Sequence, residues 1–201
     1  MSKIFIINGH QPYPFSKGEL NAAFIDRAET FFADQGHEVR MTHVAEDYNA
    51  EQEVANHQWA DIVLMQFPVN WMGVSWSFKK YMDDVYSAGM DGRLCAGDGR
   101  TTEAPKANYG MGGTLTGTSY MISATLNAPA EAFNDPSEPF FEGMSLDDLL
   151  RPVHLNAKFF GMKPLPSFAA FDVMKNPEIE NDFKRFDAHL ADVFAKEPAH
   201  V

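Results

Sequence analysis

Three short stretches, far apart in the numbering, carry the residue types that a phosphorylated aromatic ligand requires. The first is Gly9-His-Gln-Pro-Tyr-Pro-Phe-Ser-Lys-Gly18, which runs into an apolar-periodic segment. The opening N–H groups of a helix carry partial positive charge, so Ser16, Lys17 and Gly18 ahead of one suit a phosphate. Ser16 and Glu19 also form a Ser-x-x-Glu capping box, so a plain helix cap is an equal reading. The loop is neither G-x-G-x-x-G nor G-x-x-x-x-G-K-[ST], which counts against the two common nucleotide loops. The second stretch, Gln66-Phe-Pro-Val-Asn-Trp-Met-Gly73, offers an aromatic wall in Trp71 and backbone amides around Asn70. A flat heteroaromatic ring needs both, although a lone tryptophan is more often core or interface. The third, Thr125-Leu-Asn-Ala-Pro129, has small and amide-bearing residues. N–H groups there could meet the polar edge of a ring, where negative charge develops on reduction. Tyr109, in a glycine-rich stretch, could add a hydroxyl or a stacking face, or be an ordinary loop tyrosine. Trp71, Tyr109 and Asn127 are the pocket residues expected nearest the chemistry, and no dedicated acid or base stands out.

These stretches need a scaffold that brings them together. Lys3–Asn8 and Asp61–Phe67 are nearly continuous apolar runs, as in strands buried on both faces of a parallel sheet. Glu38–Thr42 alternates apolar and polar, which predicts an edge strand. Ser119–Thr125 and Pro166–Phe171 are the fourth and fifth strands. Between them, helical spacing predicts helices from Ser16 to Asp34, over Ala50–Gln58 and over Ser75–Ser87. Ser145 caps another through about Phe160, bent or restarted at Pro152, and a terminal helix starts at Asn176-Pro177. Strands alternating with helices give a five-stranded parallel sheet with helices on both faces, order 2-1-3-4-5. In such a sheet ligands sit beyond the carboxyl ends of the strands where the order reverses, and all three stretches fall there. Residues 88–117 are glycine-rich and aperiodic, a functional or mobile loop.

Composition narrows the class. With 201 residues, 45% hydrophobic and 22% charged, the chain reads as one domain, 1–201. A formal net charge of −12 argues against nucleic acid and anionic membrane as partners. No apolar run is long enough to span a bilayer, and the first strand leaves no room for a signal peptide. A single cysteine, Cys95, precludes an intrachain disulfide and fits the cytoplasm. The seven histidines show no metal-ligand spacing, so no metal is expected.

An ordered set of motifs then points to a family: Asn8-Gly9, Ser16-x-Gly18-x-Leu-Asn21, Trp59-Ala-Asp61, Pro68-x-x-Trp-Met-Gly73, Trp76-x-x-Lys-Lys-Tyr-x-Asp-Asp-Val85, Asp98-Gly-Arg-Thr101, Tyr109-Gly and Asn127-Ala-Pro-x-Glu-Ala-Phe133. Over nearly its whole length the chain resembles the modulator of drug activity B proteins, NAD(P)H:quinone oxidoreductases of the flavodoxin-like quinone reductase superfamily. The resemblance implies a homodimer with a flavodoxin-like fold that binds FAD, with FMN the lesser alternative. NADPH or NADH is the implied hydride donor, and a quinone is reduced by two electrons in a ping-pong sequence. It implies that Ser16, Lys17, Gly18, Glu19, Leu20, Asn21, Ala22 and Ala23 hold the phosphates and adenine-side groups. Val69, Asn70, Trp71 and Met72, with Thr125, Leu126, Asn127 and Ala128, surround the ring, and Tyr109 joins the flavin site. Asn70 and Leu126 stand where the family often has aromatic residues. Two rivals remain: a flavodoxin-like electron carrier, which needs a partner reductase, and a regulatory subunit that retains a flavin site.

Overall fold

A computed structural model describes residues 1–195. Its centre is a parallel sheet in the order β2-β1-β3-β4-β5, with β6 also paired to β4. The strands are β1 (Lys3–Asn8), β2 (Glu38–His43), β3 (Ile62–Pro68), β4 (Ser119–Thr125), β5 (Lys163–Pro164) and β6 (Phe168–Ala170). The helices are α1 (Glu19–Asp34), α2 (Ala50–Trp59), α3 (Trp76–Ala88), α4 (Leu146–Leu149), α5 (Arg151–Phe159) and α6 (Ile179–Ala195).

Side-chain alternation along the apolar runs feeds two cores, because both faces of the sheet are covered. Phe5, Ile7, Val63, Met65, Phe67, Tyr120 and Ile122 pack under α2, α3 and α5. Ile4, Ile6, Ile62, Leu64 and Met121 pack on the other face against Phe24, Ala28 and Phe32 of α1 and Phe186 and Leu190 of α6. The edge strand β2 contributes no fully buried side chain, in keeping with its alternating sequence.

Two expectations change in detail, the fifth strand and the start of the terminal helix, while the restart at Pro152 is met. The fifth strand is two short pieces on the same side of β4: Lys163 and Pro164 pair with Ser119 and Tyr120, then Phe168–Ala170 pair with Ser123–Thr125. Lys163 and Leu165 donate to the Thr118 and Tyr120 carbonyls of β4 at 2.9 and 2.7 Å, so the nitrogens of Pro164 and Pro166 face the outer edge, where proline is tolerated. The helix after Ser145 is divided into α4 and α5, with Pro152 in the first turn of α5. Ser145 and Asp148 make the reciprocal capping box at the head of α4. The terminal helix begins at Ile179, past the expected Asn176-Pro177 start. The glycine-rich segment is pinned by packing: Leu94, Cys95 and Leu115 are buried, and Cys95 bridges Gly113. At Gly113 a Cβ would lie 2.1 Å from the carbonyl carbon of Phe160, so only glycine lets the loop approach α5's end so closely.

Candidate active-site cleft

The carboxyl ends of β1, β3 and β4 open into a cleft of about 310 Å³. It is lined by Ser16, Lys17, Gly18, Glu19, Leu20 and Asn21 from the first stretch, Val69 and Asn70 from the second, and Thr125, Leu126 and Asn127 from the third. The three stretches therefore meet. A larger groove of about 570 Å³ lies between α1 and α6, but its Arg27 is already paired with Asp187 at 2.6 Å.

Beneath the cleft runs a polar relay across four elements. Asn8, last residue of β1, accepts at Oδ1 from the His10 backbone N–H (3.1 Å) and from Asn21 Nδ2 in α1 (2.8 Å). Gln66 Nε2 of β3 donates to Asn21 Oδ1 at 3.1 Å. The His43 ring of β2 contacts Asn8 Nδ2 at 2.9 Å. These bonds fix the first loop onto the strand ends. Ser75 adds a clamp by donating from Oγ to the Gly9 carbonyl at 3.0 Å.

The expected capping box at Ser16 does not form. Gly18 is the residue before α1, in a left-handed conformation at φ 86°, and no side chain caps the helix. Ser16 instead pairs with Tyr13 through two backbone bonds of 2.9 and 3.0 Å, a tight turn that leaves it two residues short of the cap position. The first N–H groups of α1 are thus open toward the cleft, where an anion can take the place of the missing cap. Lys17 is exposed and makes no ion pair within the described residues. A Cβ at Gly18 would lie 2.5 Å from the His10 ring, so this position is closed to other residues by space as well as by φ.

His10, absent from the sequence-derived set, is a lining residue, buried, with Nε2 lacking any hydrogen-bond partner. Burial pushes its pKa below the ordinary value, against a hydrogen bond to the Ser16 backbone that works the other way; the charge of His43 adds to the lowering. The balance of these effects favours the neutral ring. Asn70 Oδ1 is a second buried atom without a partner at this cleft. Phe15, Pro68, Val173 and Met174 complete the lining. The last two follow the final strand, and the carboxyl-end rule applied to β6 would have found them; His10 gave no signal beyond its place between Gly9 and Ser16.

Other sequence candidates lie outside the lining. Asn70 and Gly73 close a tight antiparallel turn by bonds of 2.8 and 3.1 Å, and its central residues are Trp71 and Met72, at φ 48° and 66°. Left-handed backbone at two large residues costs about 1–2 kcal/mol each. The turn lifts Trp71 into solvent, 98% exposed, next to the cleft residue Asn70. Ala22 and Ala23 continue along α1, with Ala23 on the outer groove. Ala128 uses its carbonyl to accept from the Asp172 N–H at 3.0 Å. Tyr109 is 71% exposed and rests edge-on against Phe159, 6.1 Å between centroids, away from the cleft lining. No group of three or more His, Cys, Asp or Glu among the described residues is placed to hold a metal. No described helix is long and apolar enough to cross a membrane.

Comparison with known proteins agrees with this architecture. Residues 2–193 match the family model described as flavodoxin-like fold. A Schizosaccharomyces pombe protein is 43% identical over 192 residues, covering 96% of this chain and 97% of its own. The NADPH:quinone oxidoreductase MdaB of Haemophilus influenzae is 38% identical over 191 residues, covering 95% and 98%. A crystal structure from Klebsiella pneumoniae superposes with a TM-score of 0.75 at 22% identity, over 97% of this chain and 84% of that one, and speaks for the fold alone. A sheet with this strand order, ligand-type stretches at its switch point and a family match along nearly its whole length place the chain in the flavodoxin-like fold family.

Proposed function

We propose that the cleft binds a flavin, FAD in the first place, and that the protein is a cytoplasmic NAD(P)H:quinone oxidoreductase using NADPH as the usual donor. The observation that carries this is a single cleft combining an uncapped helix N-terminus, an unpaired Lys17 and two buried polar atoms without partners. Such atoms cost about 1–3 kcal/mol each when unsatisfied, so a ligand that satisfies them is retained. The 38% identity with MdaB across 95% of the chain supports the choice of activity.

In this reading the first N–H groups of α1, together with Ser16 and Lys17, hold the phosphates, while Ala22 and Ala23 lie toward the adenine side. Val69 to Met72 and Thr125 to Ala128 frame the ring. Leu126, buried against Phe133 and Phe141, keeps its floor dry. Trp71, free in solvent, folds over the ring as a wall, and Asn127 meets its polar edge. Lys17, exposed and without an ion pair among the described residues, supplies the positive charge for the anion. A bound flavin supplies two-electron hydride carriage, so donor nucleotide and quinone visit the same place in turn. The family resemblance implies a homodimer, and exposed residues such as Trp76, Met90 and Met111 offer apolar surface for a second copy. Tyr109 joins the flavin site, as the family resemblance implies.

Purified protein is expected to be yellow, to bleach with NADPH, and to oxidise NADPH steadily when menadione is present. Chromatography of the released flavin is expected to show FAD. Protein that is colourless and restored by neither FAD nor FMN overturns the reading. Bound flavin without NADPH oxidation would leave an electron carrier instead.

A further inference from the structure

Asn70 spends its backbone and keeps its side chain. Its N–H and C=O both bond to Gly73, at 2.8 and 3.1 Å. The carboxamide makes no hydrogen bond within the described residues, and its Oδ1 is buried while lining the cleft. Neighbouring main-chain donors are already engaged: the Val69 N–H donates to the Thr125 carbonyl (2.8 Å) and the Leu126 N–H to the Ala170 carbonyl (3.0 Å). The carboxamide is therefore left free to meet a ligand in the cleft.

A carboxamide presents an acceptor and a donor side by side. Its complement is a group with an N–H next to a C=O or ring nitrogen, as when asparagine reads the edge of a base by two parallel bonds. A phosphate or a lone hydroxyl engages only one end. The imide edge of a flavin's pyrimidine ring, an N–H between two carbonyls, engages both. We propose that the Asn70 side chain reads the imide edge of the ring and is a selectivity-determining residue of the cleft. This rests on the flavin reading above, and adds to it a named side-chain contact that discriminates among ring ligands.

The test uses the flavin-stripped full chain, titrated with FAD and with 3-methyl-FAD, in which a methyl group replaces the imide hydrogen. The natural chain is expected to bind the methylated form about tenfold more weakly, the loss typical of an ordinary hydrogen-bond contact. Asn70→Leu is expected to bind both forms within about twofold of each other, since its side chain has no contact to lose. If Asn70→Leu does not fold by circular dichroism, Asn70→Ala, which has neither acceptor nor donor, should show the same flattening. Equal binding of both flavins by the natural chain overturns the proposal, as does a folded Asn70 variant that still discriminates tenfold. A natural chain that binds neither flavin overturns the proposed function instead.

Discussion

Two regions bury polar side chains near the first strands, and they treat them differently. Between β2, α2 and α3, the Glu53 carboxylate is enclosed and fully used. Thr42 Oγ1 and Asn56 Nδ2 donate to its Oε1 at 3.0 and 3.3 Å, and Tyr81 donates to Oε2 at 2.8 Å. At the cleft, the relay of Asn8, Asn21 and Gln66 is equally buried, yet His10 Nε2 and Asn70 Oδ1 above it have no partner. The Glu53 carboxylate is closed on itself, with only His57 Nε2 beside it left without a partner among the described residues, and its free energy goes into stability. The second is finished only by something outside the chain. Satisfied polar networks specify a fold, whereas unsatisfied ones clustered in a concavity mark where binding energy is available.

The contrast can be broken most sharply at His57, beside the closed network. It is fully buried among Phe5 and Tyr86, its Nδ1 contacts the Glu53 carbonyl at 2.9 Å, and its pKa is pushed down to about 4. Because the folded state favours the neutral ring, its contribution is complete above the unfolded value near pH 6.5. It is lost as the pH falls through about 4, a swing of about 3 kcal/mol. Urea unfolding at several pH values should show this acid loss, and His57→Phe should lessen it. An unchanged pH dependence would remove His57 from the account. Next, Tyr81→Phe strands Glu53 Oε2 and should cost about 1–3 kcal/mol of stability. Flavin affinity should stay within about twofold, since the closed network does not face the ligand.

At the open region the pattern reverses. Trp71→Asn should weaken flavin retention by about 1–3 kcal/mol through loss of the aromatic wall. The same change places a residue tolerant of left-handed backbone at φ 48°, so the flavin-free chain should gain about 0.5–1 kcal/mol. Loss of stability in the flavin-free form would mean that Trp71 supports the fold. Smallest is Lys17→Ala, expected to weaken flavin binding by about 1 kcal/mol, less at high salt, and to leave flavin-free stability unchanged. A drop in stability at Lys17, or no change in binding, would blur the distinction between the two regions.

Legibility in the sequence followed the same division. β1, β3 and β4 could be read because strands buried on both faces must be apolar at nearly every position, whatever they contact. The Ser145 cap could be read because it acts within its own first turn, on the N–H of Asp148 three residues away. The same pattern at Ser16 misled, since Gly18 turns the chain and the helix starts at Glu19. Trp71 could be singled out by type and place, but its outward direction is set by two left-handed residues that no periodicity announces.

By itself, the order of residues determined the strand alternation, the edge character of β2 and the identity of the stretches that gather at the switch point. These depend on composition and spacing within a few residues of chain. Only the tertiary structure decided that His10 Nε2 and Asn70 Oδ1 are left without a partner, that Tyr109 rests against Phe159, and that Glu53 is completely answered by Thr42, Asn56 and Tyr81. Whether a buried polar atom finds a partner depends on residues tens of positions away, arriving within 3 Å or so of it. That arrival is a property of the packed sheet and helices together.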